Sequence, residues 1–459
     1  MFDLTILGGT IVHPRGRFLA DIGIRKGKIA AIADNLSDAD TRESIAAQGH
    51  FILPGCIDSH MHLWEPGFAA NYDFADGTRA ALAGGVTTII DHPLTIPEVL
   101  DVDVFEQKKR IGEQTSYVDF ALHGGVGEDN LENLEALWQA GCTAFKIFMC
   151  ESGSKVCGLP TGKMQDAFQI IGGFGGTVLL HAENDSMLNY KYEQLQKAGR
   201  KDYMAFVDWR PPEVETEAIL RALYLLEGTG ARGVFLHTTV PEGVAAVKNA
   251  REKGLDVFVE TCPHNLYLTT EHLKEKGPWV TFSPPVRDPQ RVEKMWDYLR
   301  SGMISTMGSD HGPIEKGLKE KGENNIWESQ FGIPGAETMV PLMLNAVAKG
   351  WISLEKVTAI LSENPARLYG LYPRKGTIQV GSDADFTIVD LNQRYQFEAE
   401  KMYTSCGWIP YEGWDIEGKV VSTIIRGKVL MLDGEVVGEP GNGCFIRRAA
   451  CNSTVRQIL

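Results

Sequence analysis

Five polar side chains stand at or just beyond short apolar runs of strand-forming residues. His60 and His62 follow Leu53-Pro54-Gly55-Cys56-Ile57-Asp58-Ser59, and His181 ends Val178-Leu179-Leu180. His237 ends Val234-Phe235-Leu236, and Asp310 follows Ser305-Thr306-Met307-Gly308-Ser309. On a strand, a spacing of two puts both imidazoles of the first pair on one face, able to bind one cation. Taken singly, a histidine after an apolar run is more often a hydrogen-bonded rim residue, and an aspartate more often a loop or cap residue. Together, four histidines and an aspartate placed alike relative to their runs are hard to assign to coincidence. Neutral imidazole and carboxylate are the donors that divalent zinc and its first-row neighbours favour.

Lys146 adds a sixth group. It lies within Ala144-Phe145-Lys146-Ile147-Phe148-Met149, where an ammonium is surrounded by apolar neighbours. Burial disfavours the charged form and leaves a nucleophilic amine. Such an amine can take up carbon dioxide to become a carbamate, an anionic oxygen ligand able to bridge two metals. A lone lysine here would more readily be read as one that reaches the rim or pairs with an acid. Beside four histidines and Asp310, the carbamate is the better reading.

These groups are far apart in sequence and need a scaffold that gathers strand ends. From about Pro54 to Tyr372 the chain alternates apolar runs with helix-length segments. The strand runs are Phe51–Ile57, Val86–Ile90, Val118–His123, Ala144–Met149, Thr177–Leu180, Gly233–Leu236, Val257–Thr261 and Ile304–Met307. Eight such runs fit a (β/α)8 TIM barrel, whose C-terminal strand ends share one cavity. The two chain ends read differently. Leu4–Val12 and Ala20–Ala33, broken at Gly8-Gly9 and Lys26-Gly27-Lys28, have a hairpin pattern. Asp385–Leu391, Val420–Met431 and Glu435–Val437 repeat it, with turns at Arg426-Gly427 and Asp433-Gly434. Neither end alone can bury a face, so the two are expected to pair. The predicted architecture is a TIM-barrel domain over residues 54–372, inserted into a small discontinuous β-sandwich domain of residues 1–53 and 373–443. Residues 444–459 are expected to form a tail or an oligomer contact.

Composition narrows the function classes. The 459 residues carry 45 basic and 60 acidic side chains, a net charge of −15, which argues against nucleic acid or an anionic membrane surface as partner. No apolar run reaches the roughly 18 residues of a membrane span. Met1-Phe2-Asp3-Leu4 lacks the positive start of a signal peptide. Eight cysteines, several inside apolar runs, read as buried free thiols of a reducing compartment, so a cytoplasmic protein is expected.

With these residues in view, the sequence resembles the amidohydrolase superfamily, specifically the cyclic amidohydrolases: allantoinases, hydantoinases, dihydropyrimidinases and dihydroorotases. The resemblance runs from Gly8-Gly9-Thr10-Ile11-Val12 to Lys375-Gly376-Thr377-Ile378-Gln379-Val380-Gly381-Ser382-Asp383-Ala384-Asp385. It implies a site for two divalent metal ions, zinc first among them, with manganese, cobalt or iron as alternatives. His60, His62 and Asp310 would hold the more buried ion, His181 and His237 the more exposed one, and N-carboxylated Lys146 would bridge them. Asp310 would act as general base and then general acid in opening a cyclic amide to an N-carbamoyl acid. The family also implies a homo-oligomer, often a tetramer.

The ring is less sharply encoded. His62-Leu63-Trp64-Glu65-Pro66-Gly67, Val259-Glu260-Thr261-Cys262-Pro263-His264 and Ser283-Pro284-Pro285-Val286-Arg287-Asp288 look like allantoinase stretches. Gly308-Ser309-Asp310-His311-Gly312, His92-Pro93-Leu94-Thr95-Ile96-Pro97 and Val118–Gly125 look like L-selective hydantoinases. Glu151 stands where D-hydantoinases and dihydropyrimidinases typically carry a substrate-contacting Tyr, which argues against a dihydropyrimidinase. Glu151, Ser283 and Gly335 are the expected substrate contacts. Arg287 is a candidate carboxylate clamp or a structural ion pair. Asp58, Glu65 and Glu183 are candidates for orienting the ligand imidazoles. Two other classes fit less well: a catalytically silent dihydropyrimidinase-like scaffold, disfavoured by the complete ligand set, and a deaminase of the same superfamily, disfavoured by Lys146.

Overall fold

The computed structural model describes residues 1–67, 72–156 and 158–449. Nine parallel strand segments form the barrel, two of them, Asp119–Leu122 and Gly124–Gly125, being one barrel strand interrupted at His123. Cys56–Met61, Val86–Asp91 and Asp119–Leu122 make one arc. The other holds Gly124–Gly125, Phe145–Phe148, Thr177–His181, Arg232–Phe235, Val257–Thr261 and Thr306–Met307. His123 joins the arcs on one side, and the ring closes on the other where His62 N donates to His311 O at 2.9 Å. The strands are buried almost throughout because the barrel interior and the helices cover both faces.

Both chain ends contribute to a single nine-stranded sheet. Phe51–Pro54 runs parallel to Phe2–His13 and antiparallel to Phe386–Gln396, so it is the seam between the two ends. Ile24, Ile29 and Ile52 from the N-terminal half share one apolar core with Phe386, Val421 and Ile424 from the other. The (β/α)8 barrel with a small β module built from both ends is therefore the fold. The hairpin turns at Lys26-Gly27, Arg426-Gly427 and Asp433-Gly434 all carry positive φ at both residues, as tight hairpins of this twist require.

Two local expectations change. The run Phe51–Ile57 is two strands: Phe51–Pro54 belongs to the terminal sheet and Cys56–Met61 to the barrel. Gly55 makes the crossing, and a Cβ there would come within 2.2 Å of Thr87 Oγ1. Gly8-Gly9 does not end a strand either. Phe2–His13 continues through it with a bulge between Ile6 and Gly9, and the Asp21 carboxylate accepts from Gly8 N at 2.6 Å.

A buried ionic knot ties sheet to barrel. Lys375 Nζ donates to Asp119 at 2.5 Å and to Asp385 at 2.6 Å. The first part of the expected tail belongs to the same junction. Cys444 O accepts from Phe120 N at 3.0 Å and Ile446 N donates to Phe120 O at 2.7 Å, laying this segment along the barrel strand of its own chain. Residues 450–459 lie outside the described residues. Cys56, Cys142, Cys150, Cys262 and Cys406 are buried free thiols and Cys444 is exposed; Cys157 and Cys451 lie outside the described residues. No helix of the described residues is long and apolar enough to cross a membrane.

Candidate active site

The six groups singled out in sequence converge at the C-terminal ends of the barrel strands. His60 belongs to Cys56–Met61, Lys146 to Phe145–Phe148 and His181 to Thr177–His181; His62, His237 and Asp310 follow their strands by one to three residues. Asp310 Oδ1 lies 3.1 Å from His60 Nε2 and 3.2 Å from His62 Nε2. Nδ1 of His181 and Nε2 of His237 face each other at 3.0 Å. Asp310 and His237 have φ of 46° and 34°, in the left-handed region that costs a non-glycine residue about 1–3 kcal/mol. Hydrogen bonds on either side hold Asp310 there: Ser309 N donates to Asp58 and Ser309 Oγ to His60 O, while His311 N donates to Ser309 Oγ.

The imidazoles are oriented from behind. Glu183 accepts from His181 Nε2 at 2.7 Å, from Ser283 Oγ at 2.9 Å and from Arg210. Because a carboxylate only accepts, His181 carries its proton on Nε2 and turns the Nδ1 lone pair toward His237. Glu260, not singled out in sequence, does the same for His60, taking Nδ1 at 2.6 Å and Ser59 Oγ at 3.1 Å. Its signal was its place on the strand Val257–Thr261, one residue before the strand end. Of the three acids expected to orient imidazoles, only Glu183 does so. Asp58 accepts from the backbone of His60 and Ser309, and Glu65 from that of Phe74.

The electrostatics are those of a cation site. Burial pulls His60 down, but the Asp310 and Glu260 carboxylates outweigh it and push the imidazolium up to about 9. His62 is pulled down by burial to about 4. Burial pushes the Asp310 carboxyl up, yet His60, His62 and His237 hold it well below the usual range, so it is a carboxylate. Burial lowers the Lys146 ammonium to about 8 against the pull of Asp310 and Glu260. Its Nζ lies 4.6 Å from the Phe148 ring centroid. The His237 Nδ1 and His62 Nδ1 atoms are buried without a hydrogen-bond partner among the described residues. The neutral imidazoles of His62, His181 and His237, next to the ionised Asp310 carboxylate, fit divalent cations. Among the described residues, His60, His62 and His92 place ligand atoms close enough to hold an ion, as do His60, His237 and Asp310.

His92 is the second residue that sequence reasoning passed over. Its ring stacks on His60, with centroids 4.0 Å apart and planes 13° apart, and neither nitrogen has a partner among the described residues. It follows the strand Val86–Asp91 just as His62 and His237 follow theirs, so the same positional rule would have found it.

A cavity of about 570 Å³ opens over this cluster. His62, Lys146, His181, His237 and Asp310 line it, as do Glu151 and Ser283, two of the expected substrate contacts. Gly335 is not among its lining residues. It packs against Ser309, and its N–H donates to His311 Nδ1 at 3.2 Å; Gly332 lines the cavity instead. Glu151 turns its Oε1 onto the N–H groups of Ser152 and Gly153, at 3.2 and 2.8 Å. Arg287 is buried away from the cavity and paired with Glu215 at 2.9 Å.

The sequence model of the Amidohydrolase family matches residues 51–430. Over 98% of both chains, the protein is 37% identical to an L-hydantoinase of Paenarthrobacter aurescens. It is 35% identical to an allantoinase of Deinococcus radiodurans over 95% of this chain and 97% of that one. The solved structure of an L-hydantoinase (dihydropyrimidinase) from Arthrobacter aurescens superposes with a TM-score of 0.96, at 36% identity, over 98% of this chain and all of the other. Site geometry, barrel and full-length likeness agree: the chain belongs to the amidohydrolase family, within its hydantoinase and allantoinase group of cyclic-amide hydrolases.

Proposed function

We propose that the protein opens a five-membered cyclic ureide by hydrolysis, a 5-substituted hydantoin before allantoin, to give an N-carbamoyl acid. The observation that carries this reading is the convergence of His60, His62, Lys146, His181, His237 and Asp310 under one cavity. Likeness to the L-hydantoinase, 37% against 35% for the allantoinase, supports the hydantoin. Residues 54–372 would be the catalytic barrel, and residues 1–53 with 373–443 the module that clamps it.

The family is metal-dependent, and the donor set suits two divalent ions, zinc before manganese, cobalt or iron. When bound, such ions supply Lewis acidity and bring the pKa of water toward neutrality. His60, His62 and Asp310 would hold one, His181 and His237 the other. Lys146, its amine made available by burial, would form an N–C bond to carbon dioxide with release of a proton, and the resulting carbamate would supply anionic oxygen donors to the ions. Asp310, ionised and within reach of both halves of the site, takes a proton from the attacking water and returns it to the leaving ring nitrogen. Glu183 and Glu260 hold the imidazole tautomers throughout.

The test is ring opening by metal-reconstituted protein with bicarbonate, on 5-substituted hydantoins, allantoin, dihydrouracil and dihydroorotate. The expected result is N-carbamoyl amino acid from a hydantoin, faster than turnover of either six-membered ring. Silence on every ring with two metals bound would sink the proposal.

A further inference from the structure

His92 belongs to neither half of the proposed metal site, yet it stands against one of them. Its side chain is buried, and neither ring nitrogen has a hydrogen-bond partner among the described residues. Burying an imidazole takes two polar atoms out of water, and buried polar atoms in folded proteins nearly always recover a partner. The ring centroid lies 4.0 Å from that of His60 and 5.0 Å from that of His62. Those two imidazoles also keep buried nitrogens without a hydrogen bond, Nε2 in His60 and Nδ1 in His62. One ligand atom from each of the three rings lies within 4.8 Å of the other two.

Stacked histidines are often plain packing, and two observations distinguish this set. The first is that the backbone of His92 is built into the strand end that carries His62. His92 N donates to Met61 O at 2.8 Å. The fully buried Lys108 donates to His92 O at 2.7 Å and pairs with Asp91 at 2.5 Å, and the other Asp91 oxygen accepts from Leu63 N at 2.9 Å. Both chain neighbours of His62 are therefore tied to His92 or to the residue before it, and the ring is held in place beside the first pair. The second is what the three rings do not need. Three imidazoles are a complete protein donor set for a divalent ion that keeps its fourth position open. The site that includes Lys146 lacks its bridging donor until that amine has taken up carbon dioxide. A carbamate is in turn stabilised by the cations it binds, so a first ion has to be seated by groups that are ready without it. His60 and His62 are shared: Asp310 completes their set on the proposed catalytic arrangement, and His92 completes it with nitrogen alone.

We propose that His60, His62 and His92 form a loading site, a three-imidazole seat that holds one divalent cation while Lys146 is still a free amine. The inference rests on the metal site of the proposed function. It is tested without substrate, in metal-free Lys146→Ala protein kept clear of bicarbonate and other small carboxylates, by titration with cobalt(II) against a chelator of known affinity. One cobalt ion per chain should bind. Adding His92→Ala or His92→Phe should weaken that binding by about 10- to 100-fold and shift the visible absorption of the bound ion, which reports its donors. Phe keeps a ring beside His60 and offers no donor, so it separates ligation from packing. Near-ultraviolet circular dichroism of each metal-free variant checks the fold, and the wild type depleted of bicarbonate should show the same dependence on His92. Affinity and absorption unchanged by both substitutions, affinity restored by Phe, or no ion bound by the Lys146→Ala parent would overturn the loading site. None of these outcomes bears on ring opening, which falls only if the wild type with two ions bound is silent on every ring.

Discussion

Glu260 takes the Nδ1 proton of His60 at 2.6 Å and so decides that Nε2 of that imidazole faces Asp310. Both side chains are fully buried, and the second Glu260 oxygen is held by Ser59. Replacing Glu260 by Gln keeps the shape and lets the amide present either a donor or an acceptor, so the tautomer is no longer imposed. Glu260→Gln is expected to weaken metal binding by about 10- to 100-fold. Competition against a chelator of known affinity measures it, and unchanged affinity would remove Glu260 from the site.

Asp310 is the carboxylate that reaches both histidines of the first pair, at 3.1 and 3.2 Å, and is the candidate proton carrier. Asp310→Asn should lower kcat by about 10²- to 10⁴-fold with the near-ultraviolet circular dichroism of the wild type. Turnover within a few-fold of wild type would end the proton-carrier assignment.

Lys146 differs from the histidines because its proposed role needs a group it does not carry by itself. Lys146→Ala should reduce the metal content from two ions per chain toward one, read by elemental analysis, and abolish ring opening. The truncated side chain leaves space in which a small carboxylate can stand where the carbamate stood, so millimolar propionate should restore part of both. Full metal occupancy in the variant without added acid would contradict the bridging role.

Glu337 offers a pH effect away from the metal cluster. Burial pushes its carboxyl up to about 8, partly opposed by the backbone N–H groups of Tyr403 and Thr404. The folded protein therefore holds a proton that the unfolded chain releases near pH 4.5. The contribution is complete below about pH 4.5 and is lost as pH rises to 8, on the order of a few kcal/mol. Glu337→Gln, neutral at every pH, should melt progressively higher than wild type as pH increases from 5 to 8. Parallel melting curves across that range would show that the carboxyl does not titrate as described.

The convergence of the candidate ligands was legible because it obeys a rule of position: strand ends of a barrel face one cavity, and His60, His62, His181, His237 and Asp310 all stand there. The rule is incomplete on its own terms, since His92 and His123 also follow barrel strands and were not separated out. Glu260 escaped because its partner is 200 residues away, a distance that no local pattern spans. Gly335 was placed against substrate by likeness to relatives, but its Cα lies against Ser309, where a Cβ would meet the carbonyl oxygen at 2.5 Å. The split of Phe51–Ile57 was invisible because both halves are apolar, and only the strands they pair with tell them apart.

The seam between the two chain ends sets a timetable. Cys56 N donates to Thr387 Oγ1 across 331 residues, and Phe51–Pro54 lies between Phe2–His13 and Phe386–Gln396. On a ribosome adding about 5–20 residues per second, the N-terminal hairpin waits roughly 20–60 s for that neighbour to emerge. Throughout that interval the outer edge of Phe51–Pro54 is an unpaired strand edge beside exposed isoleucines, the kind of surface that recruits chaperones or other nascent chains. The strand that leads toward His60 and His62 thus gains its second neighbour only late in synthesis, and a truncated product ending before residue 386 would carry the six site residues on a barrel with an open seam.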